Sequence, residues 1–491
     1  MKAFARAIAA FGVGSAAGTL LQVLKGKLAA LVLGTAGVGV LNQLGTTWSL
    51  FSSVAGLGMG SGMVKRVAAA REAGDEAAIL RQVTSSLAVA AAVSLVLALA
   101  ATAFAAALSD GLFHDGGERR VLVLLVAWGI PFAVCAQVYR CLLSAARQAR
   151  ALVRAQVTSD LIGFAAFALL VWRYGLPGAV LSLSLLHAVK FALLFGAARR
   201  HYGANTLALA PARFDWREVR HNLGFGLSGL LLVTTGSLVV LIVSRWIIAA
   251  QGLDAAGLYS TAWKVAAVYL GAIYASAGSY YFPTLAACDG DDRRLGNCID
   301  ESLTVYLYFI APVIAAIVLA GEWLMHLLFS AAFVPAAALL VLLLPGDLLR
   351  IVSETLGLSL LARRRLGAYC GVYFAWAASY LALAALLLPR LQLAGAALAY
   401  LLSQALQFVV TLYVVRRAFG YRIGRTAAFA LLRGALLVAA AAVAALLSRD
   451  LALRVAAGVA IAAAWLALSW SDLHFRELAA GLFRRLRMRP S

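Results

Sequence analysis

The chain has 491 residues, of which 63% are hydrophobic and only 13% charged, and its mean hydropathy is +0.90. A water-soluble domain of this size must present a polar outside, so the composition excludes one and points to a chain embedded in lipid. The net charge of +21 would suit a polyanion, but its distribution, given below, argues against nucleic acid as a partner.

Apolar stretches of the roughly 20 residues needed to cross a bilayer recur from end to end. Fourteen are predicted, at 7–33, 38–63, 83–108, 120–146, 152–172, 176–198, 222–248, 257–284, 299–320, 333–361, 366–388, 393–415, 426–447 and 451–470. The first is too long and too charged at its far end for a cleaved signal peptide, so it is expected to be retained. With the N-terminus in the cytoplasm, 29 of the 42 Lys and Arg fall in the tails and connections on that side, against six on the other. Loop cations of short connections stay inside, which predicts that both ends are cytoplasmic and that most of the basic excess is topology. The remaining seven, Lys25, Lys27, Lys190, Arg245, Lys264, Arg350 and Arg433, fall inside spans.

Span one carries LLQVLKGKLAALVLG, with Lys25 and Lys27 separated by one glycine. Two residues are about 200° apart around a helix, so the lysines cannot share a face. One is expected toward a cavity and the other toward a neighbouring helix or lipid, and snorkelling to the interface is open to both. Asp160 is an isolated acid on span five, a candidate for coupling or gating. On span six His187 and Lys190 lie within one turn, and Lys190 is within reach of the cytoplasmic interface. The connection 199–221, with Phe214, Trp216 and its arginines, suits an interfacial segment.

Lys264 on span eight sits too deep to snorkel outward easily. Span ten carries PGDLLRIVSE, which places Asp347, Arg350 and Glu354 on one stripe by i,i+3 and i,i+4 spacing. Such a stripe avoids lipid. It reads either as an internally neutralised stack or as a gate or ion-coupling site. The five cysteines form no CxxC or Cys/His metal pattern, no metal site is expected, and no enzyme signature such as Walker A or H-E-x-x-H appears. The chain is therefore read as not an enzyme.

Comparing the two parts of the chain reveals a repeat. GKLAALVLGTAGVGVL (26–41) resembles SRWIIAAQGLDAAGLY (244–259), and in both a cation precedes by twelve residues a glycine that opens the next span: Lys27 to Gly39, Arg245 to Gly257. Further on, RRHYG (199–203) matches RRAFG (416–420) at nearly the same offset of about 217. The expected organisation is a six-helix half (1–198), an interfacial linker (199–221), a second six-helix half (222–420), two additional spans (421–475) and a basic tail (476–491). Six is even, so the halves insert in the same direction. Parallel repeats of this kind are a transporter signature, and the repeat gives Lys27 a cationic counterpart in Arg245.

GKLAALVLGTAGVGVLNQLGTTWSLFSSVAGLGMGSGMVKRVA (26–68) resembles the opening helices of bacterial polysaccharide flippases of the Wzx type. AAGLYSTAWKVAAVYLGAIYASAGSYYFPTLA (255–286) is similar to that family's eighth helix, LLPGDLLRIVSETLGLSLLARRR (343–365) to its tenth, and LAGAALAYLLSQALQFVVTLYVVRR to its twelfth. The likeness covers about residues 1–420 and is strongest to the O-antigen and enterobacterial common antigen branch. That family belongs to the multidrug/oligosaccharidyl-lipid/polysaccharide (MOP) exporter superfamily.

The resemblance implies an all-α polytopic protein of the bacterial inner membrane. It would export an undecaprenyl-diphosphate-linked oligosaccharide by alternating access through a cationic central cavity. Lys27, Arg245 and Arg350 match family cations, while Lys25 and Lys264 join the candidate substrate-binding set from their position alone. Asp160, Asp347 and Glu354 are candidates for coupling or gating. The implied partners are the lipid-linked oligosaccharide, membrane lipids, a chloride, proton or sodium ion, and polysaccharide assembly proteins such as a polymerase and a chain-length regulator. No cofactor is implied. The two extra spans depart from the twelve-helix members and match the fourteen of lipid II flippases in the same superfamily. A lipid II substrate, or a cation-coupled drug antiporter, is therefore the alternative reading.

Overall fold

A helix of 54 residues would rise about 81 Å, far more than the ~30 Å of a bilayer's hydrocarbon, so a chain with such helices must break them. The computed structural model, which describes residues 2–203, 214–288, 290–448 and 451–470, shows where. In chain order the helices are α1 (Lys2–Gly56), α2 (Gly60–Glu72), α3 (Glu76–Ala103), α4 (Ala105–Phe113), α5 (Arg120–Ala127), α6 (Ile130–Ala145), α7 (Ala149–Tyr202) and α8 (Trp216–Ser276). A short π segment leads into α9 (Phe282–Ala286), followed by α10 (Asp292–Leu319) and α11 (Gly321–Leu328). A 3-10 turn then opens α12 (Ala337–Ala362), α13 (Leu366–Phe419), α14 (Arg425–Leu447) and α15 (Leu451–Trp470). No strand occurs among the described residues.

The four longest helices each contain one residue in the left-handed region: Gly34 in α1, Gly175 in α7, Gly252 in α8 and Gln392 in α13. All four fall in the short gaps predicted between spans. In α7 the chain doubles back there, because Gly163 lies against the Leu186 side chain and Gly178 against the Leu170 carbonyl. In α13 the Tyr380 and Tyr400 rings meet across the turn at 5.7 Å. Nine helical stretches among the described residues are long and apolar enough to cross a membrane. Four contain such a break, which makes thirteen crossings, and α15 with its apolar segment Ala456–Ala467 is the fourteenth.

The repeat is present element by element. The breaks at Gly34 and Gly252 are 218 apart, and those at Gly175 and Gln392 are 217 apart. Helices α3 and α10 are both 28 residues long, and α7 and α13 are both 54. Their start signals recur too. Asp75 caps α3 by accepting from the Ala78 N–H, and Asp291 caps α10 by accepting from Arg293 and Arg294. Each cap satisfies backbone donors that the first turn leaves open.

Two compact units form. The first holds the chain up to Ser260 together with Leu328–Ala332, and in it α6 and α1 pack on α7 while α2 and α3 pack on α6. The second holds Thr261–Leu327 and the chain from Phe333 onward, with α13 on α12 and α14 on α10. Within the first unit, repeat-related positions of α1 and α8 touch one another. Gly39 and Gly257 approach so closely that a Cβ on Gly39 would lie 3.0 Å from the Gly257 nitrogen. Beside them Asn42 donates to Ser260, 218 residues away, at 2.6 Å, and Thr35 donates to Asp254. Only a residue without a side chain allows two backbones this close.

Candidate functional site

The first unit lines an open cavity of about 680 Å3 between α1, α2, α6, α7 and the first arm of α8. That volume is in the range of small-molecule sites. Its wall toward α1 is polar through Ser49, Ser52 and Ser53, and Trp48 stacks on the His187 ring at 4.5 Å with an interplanar angle of 19°. Two cations line it, Arg140 from α6 and Lys190 from α7. Helix geometry places them: Gln137 is one turn before Arg140 and accepts from its Nε at 2.8 Å, which orients the guanidinium. His187 and Lys190 share a face of the second arm of α7 by the same i,i+3 spacing.

Gln156, which lines the cavity, donates to the Asp160 carboxylate at 2.6 Å, and the charge of Asp160 acts on Lys190. Lys25 adds a third cation behind the wall: its ammonium sits over the Phe167 ring at 4.6 Å and its charge acts on His187. Two cations and no acid among the lining residues give the cavity a positive field in a low-dielectric setting, where a bound anion is attracted far more strongly than in water.

The sequence-predicted cations are dispersed. Lys27 is half-buried on α1, and Arg245 is exposed and donates from its Nε to His114 Nε2 at 3.3 Å. Neither they nor Lys25 line the cavity. His114 is presented by the connection after α4, whose Asp115 accepts from the Ser109 hydroxyl, the Gly117 and Arg119 N–H groups and the Arg119 guanidinium. Burial pushes the Asp115 carboxyl up, but those four donors together hold it below its ordinary value. Lys264 is exposed on α8.

The stripe of span ten is in place in the second unit. Arg350 donates to Glu354 at 2.8 Å, and Asp347, only 2% exposed, accepts from the Tyr400 hydroxyl at 2.6 Å. Tyr400 in turn packs edge-on against Trp263 at 4.8 Å. Among the described residues no group of three or more His, Cys, Asp or Glu could hold a metal.

Sequence reasoning assigned Arg140 to topology and let Lys190 snorkel, and it passed over Trp48, Gln137 and Gln156. The signal was present in the spacing. Gln137 with Arg140, Gln156 with Asp160, and His187 with Lys190 are three polar pairs at helical spacing in three consecutive spans.

Comparison with known proteins gives the family and the fold. The family described as polysaccharide biosynthesis protein matches residues 33–338. The chain is 27% identical over 409 residues to the lipid III flippase of Escherichia coli (strain K12), covering 80% of this chain and 94% of that protein, and equally to that of Shigella flexneri. Among solved structures it is similar to the lipid II flippase MurJ in an inward closed conformation, with a TM-score of 0.74 and 13% identity over 94% of this chain and 99% of that one. It is also similar to an inward-facing multidrug resistance MATE family transporter of the MOP superfamily, with a TM-score of 0.73 and 14% identity over 82% and 94%. At these identities the structural likeness establishes the fold alone, a multi-pass all-helical one.

Proposed function

Because the chain belongs to the polysaccharide biosynthesis protein family, we propose that it is a flippase for an undecaprenyl-diphosphate-linked oligosaccharide of the O-antigen type. It moves this lipid from the cytoplasmic to the periplasmic leaflet of the bacterial inner membrane by alternating access, with both chain ends cytoplasmic. The observation that carries the reading is the cationic cavity of the first unit, at the arginine-rich end of its helices. A diphosphate carries about two negative charges and matches a planar guanidinium and a point ammonium, so Arg140 and Lys190 supply the contacts. The Trp48–His187 pair offers a flat face to the first sugar ring, and the serines and Gln137 meet its hydroxyls. The polyprenyl tail stays in lipid.

In this reading Lys25, Lys27, Arg245, Lys264 and Arg350 remain candidate contacts for the anionic substrate outside the cavity of the first unit. After release the cations need balance. Chloride entry, or a proton or sodium ion at Asp160, Asp347 or Glu354, provides it. A lipid II-type substrate is the second reading, favoured by the match to MurJ over 94% of the chain, which requires the two extra helices. Deletion of the protein tests both: the lipid-linked glycan that accumulates on the inner leaflet identifies the substrate. An unchanged leaflet distribution of every such lipid would refute the flippase reading.

A further inference from the structure

Below the cavity, the end of the α1–α2 segment and the start of α8 meet along a seam in the first unit. Gly58 lies against the Gly226 backbone, and a Cβ on it would stand 3.0 Å from the Gly226 Cα. One turn on, a Cβ on Gly62 would lie 2.8 Å from the Asn222 Cα. One further turn on, Arg66 pairs with Glu218 at 2.6 Å. The numbers rise by four on one side and fall by four on the other, so the two segments run antiparallel with one contact per helical turn. Glu218 sits in the first turn of α8, where the helix dipole favours a carboxylate, and only 10% of its side chain is exposed.

The same two segments line the cavity: Gly56, Gly58, Gly60 and Ser61 on one side, Gly226, Gly229, Leu230 and Val233 on the other. The seam therefore continues the cavity wall toward the arginine-rich side. From this geometry we infer that the seam Gly58–Gly226, Gly62–Asn222 and Arg66–Glu218 is a cytoplasmic gate, locked by the Arg66–Glu218 ion pair, that admits the anionic head group to the cavity.

Three features suit a contact that opens and recloses. Two of the three contact points are glycines on smooth backbone, so opening disengages no interlocked apolar side chains. The seam also keeps polar atoms short of partners. Asn222 Oδ1, and Ser52 Oγ in the cavity wall, are buried and find no hydrogen bond among the described residues. Water entering an opened gate would satisfy both, which lowers the free energy of the open state relative to the closed one. Finally, α2 is joined to α1 through Leu57 and Gly58, both left-handed at φ 49° and 66°. That double break supplies a pivot at one end of the seam. Hinges of this sort are a few residues that absorb a large backbone change.

The inference rests on the flippase reading for what passes the gate, but its test does not. In the full-length chain, with the five cysteines replaced by serine, Ser53→Cys places a thiol in the cavity wall. Labelling by a membrane-impermeant maleimide is followed in inside-out vesicles and normalised to labelling after denaturation. Glu218→Gln, or Arg66→Gln as an independent break of the same pair, is expected to raise the labelling rate about tenfold by shifting the gate toward its open population. The double exchange Arg66→Glu with Glu218→Arg is expected to return it to the parent rate. Equal labelling in parent, single variants and double exchange would overturn the gate. Labelling that follows the gate pattern in a protein whose deletion leaves every lipid-linked glycan in place would retain the gate and refute the flippase.

Discussion

The two copies of the repeat share a backbone plan but hold opposite chemistry. Adding 217 to the cavity positions of the first copy gives their counterparts in the second: Arg140 becomes Gly357, His187 becomes Gln404, and Lys190 becomes Gln407. Gln156 becomes Tyr373 and Asp160 becomes Ala377. Every ionisable group at these cavity positions is replaced by a neutral one. Gln404 and Gln407 are 1% and 6% exposed, and the aromatic side chains Tyr373, Trp376, Tyr380 and Tyr400 stack from one to the next with ring separations of 5.1 to 6.1 Å. The charges kept on α12 are spent on one another or on a phenol, as in Arg350–Glu354 and Asp347–Tyr400. Duplication therefore preserved the hairpins and divided the labour. One copy keeps charge facing open space, and the other places buried glutamines, rings and neutralised pairs at the corresponding positions.

The largest expected effect comes from erasing this difference in the first copy. Arg140→Gly with Lys190→Gln gives it the second copy's residues. Each removed charge-assisted contact is worth about 1.5–3 kcal/mol, so transport of the lipid-linked glycan should fall by about 10–100-fold per position, with the protein still inserted. Surface glycan in a complemented deletion strain reads this out, and full complementation would show that the cavity's charge asymmetry has no part in transport. The reverse transplant, Gln407→Lys, puts an ammonium where the second copy is closed. It should lose about 2.5–3.5 kcal/mol, seen as lower expression and an earlier unfolding transition in detergent, while an unperturbed melt would mean the second copy is also open. Tyr400→Phe removes one donor from the buried Asp347 carboxylate. A hydrogen bond to a charged group is worth about 1.5–3 kcal/mol, so the second unit should melt earlier, whereas a neutral outcome would imply that Arg350 already satisfies that acid.

The contrast also explains what the sequence could and could not tell. Fourteen spans, the breaks between them and the 217–218 offset were legible because hydropathy and repeat spacing act over tens of residues. The Arg350–Glu354 pair was legible because i,i+4 spacing on one helix decides it locally. The cavity was not. Arg140 looks like any cytoplasmic arginine until α6 and α7 bring it beside Lys190, and Trp48 meets His187 only because α1 packs on α7. Lys27 and Arg245 each stand seven residues before a break, at Gly34 and Gly252. Yet a shared offset says nothing about facing, and Arg245 turns to His114 on a connection that no repeat argument includes. Contacts between elements far apart in sequence follow from packing, which single-helix periodicity does not encode.

The smallest expected effect concerns what the second copy retained from being the image of a polar site. Gln404 occupies the place of His187, and both its amide oxygen and its nitrogen are buried with no hydrogen bond among the described residues. In the first copy the corresponding ring stacks on Trp48 beside open space, whereas the Trp48 position is Ala266 in the second. A polar group kept in that setting is a liability, because its desolvation of about 1–3 kcal/mol is not offset by a partner. Gln404→Leu, similar in volume, should therefore raise the unfolding midpoint and leave transport unchanged. His187→Leu, its counterpart, should lower transport and leave the midpoint nearly where it was. If Gln404→Leu instead lowered the midpoint, the amide must be bonded through water, and the second copy would contain a wet polar site of its own.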